Sequence, residues 1–225
     1  MSRAVMLFAA GFGTRMGALT THQPKPLVSV AGRPLIDHAL DMIQAADLSK
    51  IVVNLHYHGD KLRAHLADRN VQFSEERDIL ETGGGLRAAL PLLGDAPVFT
   101  SNSDAMWQGP NPFQLLEQAW DPDRMDGLLM LVPQNAAIGH TGKGDFLCAE
   151  DGRLVRGPGP IYTGVQIIKT DHLAAIPQTA FSLNVLWDEM LAQQRLFGLV
   201  YPGEWCDIGR PEGIVLAERM IGHVV

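Results

Sequence analysis

Cysteine is scarce. Cys148 and Cys206 are the only two in 225 residues, which excludes a disulfide framework and fits a reducing cytoplasm. Positive charge is also in deficit, with Lys+Arg 18 against Asp+Glu 25 and a net charge of −7. That argues against nucleic acid or an anionic membrane as a general partner, because both need surplus Lys and Arg. A phosphorylated small molecule needs only a local basic site. No apolar run approaches the roughly 18 residues of a membrane helix. The opening MSRAVMLFAAGFGTRMG resembles a signal peptide only briefly; its apolar part is short and runs into Gly and Arg, so it reads as a first core strand. The chain lacks low-complexity segments, long charge runs and internal repeats. It also lacks G-x-S-x-G and H-E-x-x-H, so neither a hydrolase serine elbow nor a zincin site has support.

What is present is a hydrophobic fraction of 46% with 19% charged residues, the profile of a folded globular chain. Apolar runs of strand length alternate with helix-period segments, which predicts βαβ units: one α/β domain over 1–225, with a Rossmann-like, mostly parallel sheet and helices on both faces. Strands are expected at Ala4–Ala9, Ile51–Leu55, Val71–Phe73, Pro97–Ser101, Gly127–Val132, Tyr162–Ile168 and Glu204–Ile208. Helices are expected after Pro34, over Gly59–Arg69, over Phe113–Trp120, over Leu183–Gln194, and from the Gly209-Arg210-Pro211 turn to Met220. Gly83, Gly84 and Gly85 read as a loop feeding a helix. The glycine-rich stretch 133–160 has a weak pattern and reads as an active-site elaboration of short strands and loops, since a linker of that length is improbable in so short a chain.

The most informative segment is Phe8-Ala9-Ala10-Gly11-Phe12-Gly13-Thr14-Arg15-Met16. A buried strand ends in small residues, then glycines, then an arginine. Gly11 and Gly13 permit dihedrals that aim N–H groups at an anion, and Arg15 adds a fork suited to phosphate oxygens. The dinucleotide fingerprint G-x-G-x-x-G fails at Met16, and the only Gly-Lys pair, Gly142-Lys143, continues into Gly144, so no Walker loop exists. The second piece is Gln23-Pro24-Lys25-Pro26-Leu27, where two prolines stiffen the backbone that presents one lysine and are expected to keep it extended.

Taken together, Ala9-Ala10-Gly11-x-Gly13-Thr14-Arg15-Met16 and Pro24-Lys25-Pro26-Leu27 resemble the sugar-1-phosphate nucleotidylyltransferases. Asn102-x-Asp104, Glu81-Thr82-Gly83-Gly84-Gly85, Thr163-Gly164 and Trp205-x-Asp207-x-Gly209 extend the likeness over essentially the whole chain. The compact length and the Leu80–Gly85 segment look most like the N-acetylmuramate 1-phosphate uridylyltransferases of bacterial cell-wall recycling. The resemblance implies a GT-A-type sheet and a cytoplasmic enzyme, monomeric or a small homo-oligomer. It further implies Mg²⁺ on Asp104 and Asp207, and an NTP, by branch UTP, reacting with a sugar 1-phosphate, by branch N-acetylmuramate 1-phosphate. Arg15 and Lys25 would be catalytic. Ala10, Gly11, Gly13, Thr14, Glu81, Gly84 and Asn102 would contact the nucleotide, and Lys143, Asp145, Thr163 and Gly164 the sugar.

Two departures matter. Many relatives carry a Glu-Lys pair before Thr-Gly, where this chain has Gly159-Pro160-Ile161-Tyr162; Lys143 is the expected substitute. Ser103 replaces a common glycine, and its hydroxymethyl is expected to crowd the metal side. Those departures keep open a non-catalytic nucleotide-sugar sensor. A mannose or heptose phosphate guanylyltransferase also stays open, because the Glu81 carboxylate would accept from guanine as well as from uracil. A dinucleotide oxidoreductase is weakened by Met16 and by Asp37, which falls in a helix. His56 and His58 lack further ligands at zinc spacing and read as a polar strand end. Cys206 reads as a buried small hydrophobe, and Met16 as packing beneath the glycine loop.

Overall fold

The computed structural model describes residues 4–94 and 97–222; Met1–Arg3, part of the opening run, lie outside the described residues. The elements in chain order are β1 (Ala4–Phe8), β2 (Ser29–Val30), β3 (Arg33–Pro34), α1 (Leu35–Ala45), β4 (Lys50–Leu55), α2 (Gly59–His65), β5 (Gln72–Glu75), α3 (Glu81–Leu93), β6 (Val98–Asn102), β7 (Ala105–Gln108), α4 (Pro112–Ala119), β8 (Gly127–Val132), β9 (Ala137–Ile138), β10 (Phe146–Cys148), β11 (Leu154–Arg156), β12 (Ile161–Ile168), α5 (Asn184–Ala192), β13 (Leu196–Val200), β14 (Glu204–Asp207) and α6 (Pro211–Met220).

The main sheet has seven strands in the order β13-β8-β12-β6-β1-β4-β5. Only β12 runs antiparallel to its neighbours; the other pairings are parallel. The continuous apolar runs follow from burial on both faces. In β1, Val5 and Leu7 pack with Ile36, Leu40 and Leu62 of α1 and α2, while Ala4 and Met6 pack with Leu86 and Ala89 of α3. The α1 stripe of Ile36, Leu40 and Ile43 is fully buried, each side chain contributing roughly 1.5–3 kcal/mol. Pro112 opens α4 behind Asn111, whose Oδ1 accepts from the Phe113 N–H at 2.9 Å, a side-chain cap with proline at the first helical position.

Three differences from the sequence reading have physical causes. Gly83, Gly84 and Gly85 lie inside α3, not in a loop before it. A Cβ at Gly83 would fall 2.4 Å from the Phe181 ring, and one at Gly84 2.5 Å from the Thr179 carbonyl oxygen; bareness here serves close packing rather than chain reversal. Strands β7 and β13 were not anticipated: β7 is only 4 residues long, and β13 follows α5 almost directly. Stretch 133–160, by contrast, holds the short strands expected of it: β9, which pairs with β14, and the β10–β11 hairpin.

Asp126 stitches one end of the sheet together. Its Oδ2 accepts from Arg195 Nε at 2.7 Å beside β13, and its Oδ1 accepts from Lys169 Nζ at 2.8 Å just after β12. Burial pushes this carboxyl upward, but the Arg195 and Lys169 hydrogen bonds outweigh burial and hold it below the usual range. Its contribution is therefore present above the ordinary carboxylate pKa and lost as pH falls through the lowered one. Asp126→Asn should cost about 1–2 kcal/mol at pH 7, measured by urea unfolding, and the deficit should fade as pH falls through the lowered carboxyl pKa. A deficit that stays constant with pH contradicts this assignment.

Candidate active site

The chain order reverses at β1, which has β6 on one side and β4 on the other. Crevices beyond the carboxyl ends of strands at such a reversal are where open α/β sheets take ligands. The segment after β1 sits there. The Ala9 N–H donates to Asn54 Oδ1 at 2.7 Å, tying the loop to the end of β4. Gly13 has φ 64, and a Cβ there would lie 2.9 Å from Lys25 Cβ, so only glycine brings the loop this close to the lysine. Met16, 1% exposed, anchors the loop from below against Val28, Leu35, Met106 and Ile208.

Lys25 is not extended as expected. Pro24 is extended, but Lys25–Leu27 forms a single 3₁₀ turn, closed by the Val28 N–H on the Lys25 carbonyl. Rigidity is kept with a different shape. Lys25 is 9% exposed, and its Nζ donates to Asp104 Oδ2 at 2.6 Å.

The unanticipated strand β7 explains how the two distant carboxylates meet. Antiparallel pairing of β7 with β14 sets Asp207 opposite Ala105, and the Ile208 N–H donates to the Asp104 carbonyl at 2.9 Å. The pairing thus brings Asp104 and Asp207 to the same end of one ladder. Burial, then the charge of Asp104, push the Asp207 carboxyl above its ordinary value, while Lys25, Arg15 and His140 oppose the rise. A Cβ on Gly209 would lie 3.2 Å from both Arg15 Nη1 and Asp207 Oδ2, so Arg15 and Asp207 converge over that glycine. The chemistry of these donors fits a divalent cation: two oxygen ligands whose mutual repulsion one lysine does not remove. No group of three or more His, Cys, Asp or Glu among the described residues is arranged to hold a metal, so further ligands would be phosphate oxygens and water.

Two adjoining clefts lie here, and the first opens on Arg15, Lys25 and Asp104. The first, of about 310 Å³, is lined by Ala10, Gly11, Gly13, Thr14, Arg15 and Lys25 on one side and by Glu76, Glu81 and Thr82 on another. The second, of about 270 Å³, is lined by Asp145, Phe146, Arg156, Tyr162, Asn184 and Trp187. Phe8, Thr82 and Asn102 border both.

Most of the anticipated residues are brought together, and four are not. Gly84 is covered by the 179–181 segment, its N–H donating to the Phe181 carbonyl. Thr163 is 2% exposed and its hydroxyl donates to the Met130 carbonyl at 2.8 Å. Gly164, with φ 91, makes room for the Asn102 side chain, which a Cβ would approach to 2.8 Å. Lys143 is absent from the linings of both clefts. Ser103 does not crowd the metal side, because its hydroxyl turns back to donate to the Phe8 carbonyl at 2.7 Å. Cys206 is buried and its thiol is pushed up to about 12 by burial and by Asp207, which leaves it protonated and unreactive.

Sequence reasoning missed Glu76 and Arg156. Glu76 is 6% exposed and is held by Asn54 Nδ2 at 2.7 Å and by the Leu80 N–H at 3.0 Å. It belongs to a polar Ser-Glu-Glu-Arg-Asp run that gives no sign of which acid turns inward. Arg156 lies in the stretch with the weakest pattern.

A family model described as "MobA-like NTP transferase domain" matches residues 5–150. The chain is 40% identical to the N-acetylmuramate alpha-1-phosphate uridylyltransferase of Caulobacter vibrioides, over 98% of each chain. It is 33% identical to the protein of the same name from Neisseria meningitidis serogroup B, over 96% of this chain and 97% of that one. Among solved structures, HddC from Yersinia pseudotuberculosis complexed with GMP-PN superimposes with a TM-score of 0.77 at 22% identity, over 97% of this chain and 99% of that one, a likeness of fold.

Lys25→Ala should lower kcat by roughly 10²–10³, the usual loss for one preorganised charge donor, with circular dichroism confirming the fold. Turnover equal to the unaltered protein contradicts the role of Lys25.

Proposed function

The chain belongs to the MobA-like NTP transferase family and is a nucleotidyltransferase; from that premise we propose that it transfers a uridylyl group from UTP to N-acetylmuramate α-1-phosphate and releases pyrophosphate. The observation that carries this reading is the convergence of Lys25, Arg15, Asp104 and Asp207 beside the first cleft. The names of the relatives support the choice of base and sugar.

An oxygen of the sugar phosphate attacks the α-phosphorus of UTP, a P–O bond forms, and the bond to the β-phosphate oxygen breaks in line. The attacking oxygen is already ionised, so no general base is required, and the protein's task is to position two polyanions and neutralise their charge. In our assignment the amides of Gly11 and Gly13, with Arg15, hold the β- and γ-phosphates. Lys25, fixed by its 3₁₀ turn, puts one ammonium on the α-phosphate or the sugar phosphate. Nucleotidyltransferases generally work with a divalent cation; here Mg²⁺ held by Asp104 and Asp207 would supply further neutralisation of the phosphates when bound. The uracil lies against the wall of Glu76 and Glu81. Both oxygens of Glu76 are engaged in holding Asn54 and Leu80, which leaves the exposed Glu81 carboxylate to accept from the pyrimidine N3–H. Asp145 borders the sugar and fixes the cleft wall, accepting from the Tyr162 N–H at 2.8 Å. Both cysteines are free, and no described helix is long and apolar enough to cross a membrane; we place the reaction in the cytoplasm.

The test is pyrophosphate release with Mg²⁺, each of UTP, dTTP, GTP and CTP, and a panel of sugar 1-phosphates. The reading expects release with UTP and N-acetylmuramate 1-phosphate, abolished by EDTA and restored by Mg²⁺. Release only with GTP and mannose 1-phosphate would replace it with guanylyl transfer, and release with no pair would favour a sensor.

A further inference from the structure

We propose that Arg156 recognises the lactyl carboxylate of the sugar substrate and so determines which amino-sugar phosphate the enzyme accepts. This inference rests on the uridylyl transfer to N-acetylmuramate 1-phosphate proposed above. That substrate carries two anionic groups: a phosphate on C1 and a carboxylate on the lactyl ether at C3. The phosphate must lie by Lys25 and the α-phosphorus it attacks, in the first cleft. The ring then extends into the second cleft, with its carboxylate in need of a cation there.

Arg156 is the only cation among the residues that line the second cleft, and it is not one of the residues bordering both. Its guanidinium lies 4.8 Å from the Phe146 ring centroid and 5.7 Å from that of Trp187. Those rings are themselves fixed. Phe146 is fully buried, and Trp187 Nε1 donates to Gln166 Oε1 at 2.9 Å. Arg156 therefore stands as a planar, stacked, preorganised fork. Its Nε and Nη2 both donate to a single oxygen of Asp188, at 3.2 and 2.7 Å, an ion pair that leaves Nη1 uninvolved. The side chain is 40% exposed and that of Asp188 64%, so the pair is a weak surface bridge that a substrate carboxylate can join or replace. The other charge lining the cleft is Asp145, whose Oδ2 is tied to the Tyr162 N–H and which repels a misplaced carboxylate. Aromatic walls, one fork and one acid describe a site for a sugar with an anionic arm rather than for a neutral hexosamine.

The experiment compares N-acetylmuramate 1-phosphate with its lactamide, in which a carboxamide replaces the carboxylate, as paired substrates with UTP and Mg²⁺. The readout is the ratio of kcat/KM for acid over amide, which is independent of the fraction of enzyme that is folded. The unaltered enzyme should prefer the acid. In R156M the ratio should fall about tenfold or more, chiefly through KM for the acid, and in R156K, which keeps the charge without the fork, it should fall by less. A ratio unchanged in R156M, or an unaltered enzyme that does not discriminate acid from amide, overturns the role of Arg156 and leaves uridylyl transfer standing. Absence of any turnover of the acid by the unaltered enzyme overturns both.

Discussion

The site depends on how one short antiparallel ladder handles negative charge. β7 and β14 bring Asp104 and Asp207 to the same end of their pairing, in a place buried enough that Asp207 is pushed above its ordinary pKa. Lys25 Nζ, 2.6 Å from Asp104, offsets part of that repulsion, and Arg15 and His140 offset more. A cluster of this kind has affinity for both signs: the carboxylates draw a divalent cation, while the ammonium and guanidinium draw phosphate. A polyphosphate carrying a divalent cation would satisfy both demands at once, since its oxygens would complete the metal's shell and meet the fixed cations. Apolar parts of the fold serve this arrangement. Met16, Met106, Cys206 and Ile208 form one small core beneath the glycine loop and the ladder, so the loop and both carboxylates share a foundation.

Much of this was legible in the sequence because the relevant signals are local. A strand buried on both faces must read as a continuous apolar run, as Ala4–Phe8 does, and a helix against a sheet must show spaced apolar residues, as Ile36, Leu40 and Ile43 do. Gly13 and Lys25 were legible for a similar reason: a glycine needed at positive φ, and a lysine between prolines, are visible at their own positions. What stayed hidden depends on contacts distant in sequence. The bareness of Gly83–Gly85 answers to Phe181 and Thr179, and nothing nearby announces it. β7 is too short to show a period, so the route by which Asp104 meets Asp207 could not be seen although both residues could. Thr163 and Lys143 show the converse. Their residue types suit a sugar or a phosphate, but the Thr163 hydroxyl is spent on the Met130 carbonyl, and Lys143 lines neither cleft.

The division into two clefts with a shared border at Phe8, Thr82 and Asn102 separates the two jobs of the enzyme. One cleft is backbone-rich and small-sided where phosphates approach, which suits a triphosphate common to many reactions. The other is built from aromatic rings and individual side chains of the β10–β11 hairpin and α5, which suits discrimination among sugars. Stretch 133–160 contributes Asp145, Phe146 and Arg156 to that second cleft. The weak pattern that made it hard to read is consistent with a segment shaped by a ligand rather than by the core.

The central claim is that Lys25, Arg15, Asp104 and Asp207 act on one triphosphate. A crystal structure of the protein with Mg²⁺ and a non-hydrolysable UTP analogue tests it most directly. The account predicts a metal ligated by Asp104, Asp207 and phosphate oxygens, with Lys25 and Arg15 in contact with the same phosphate chain. A nucleotide bound with its phosphates away from those four side chains would contradict it.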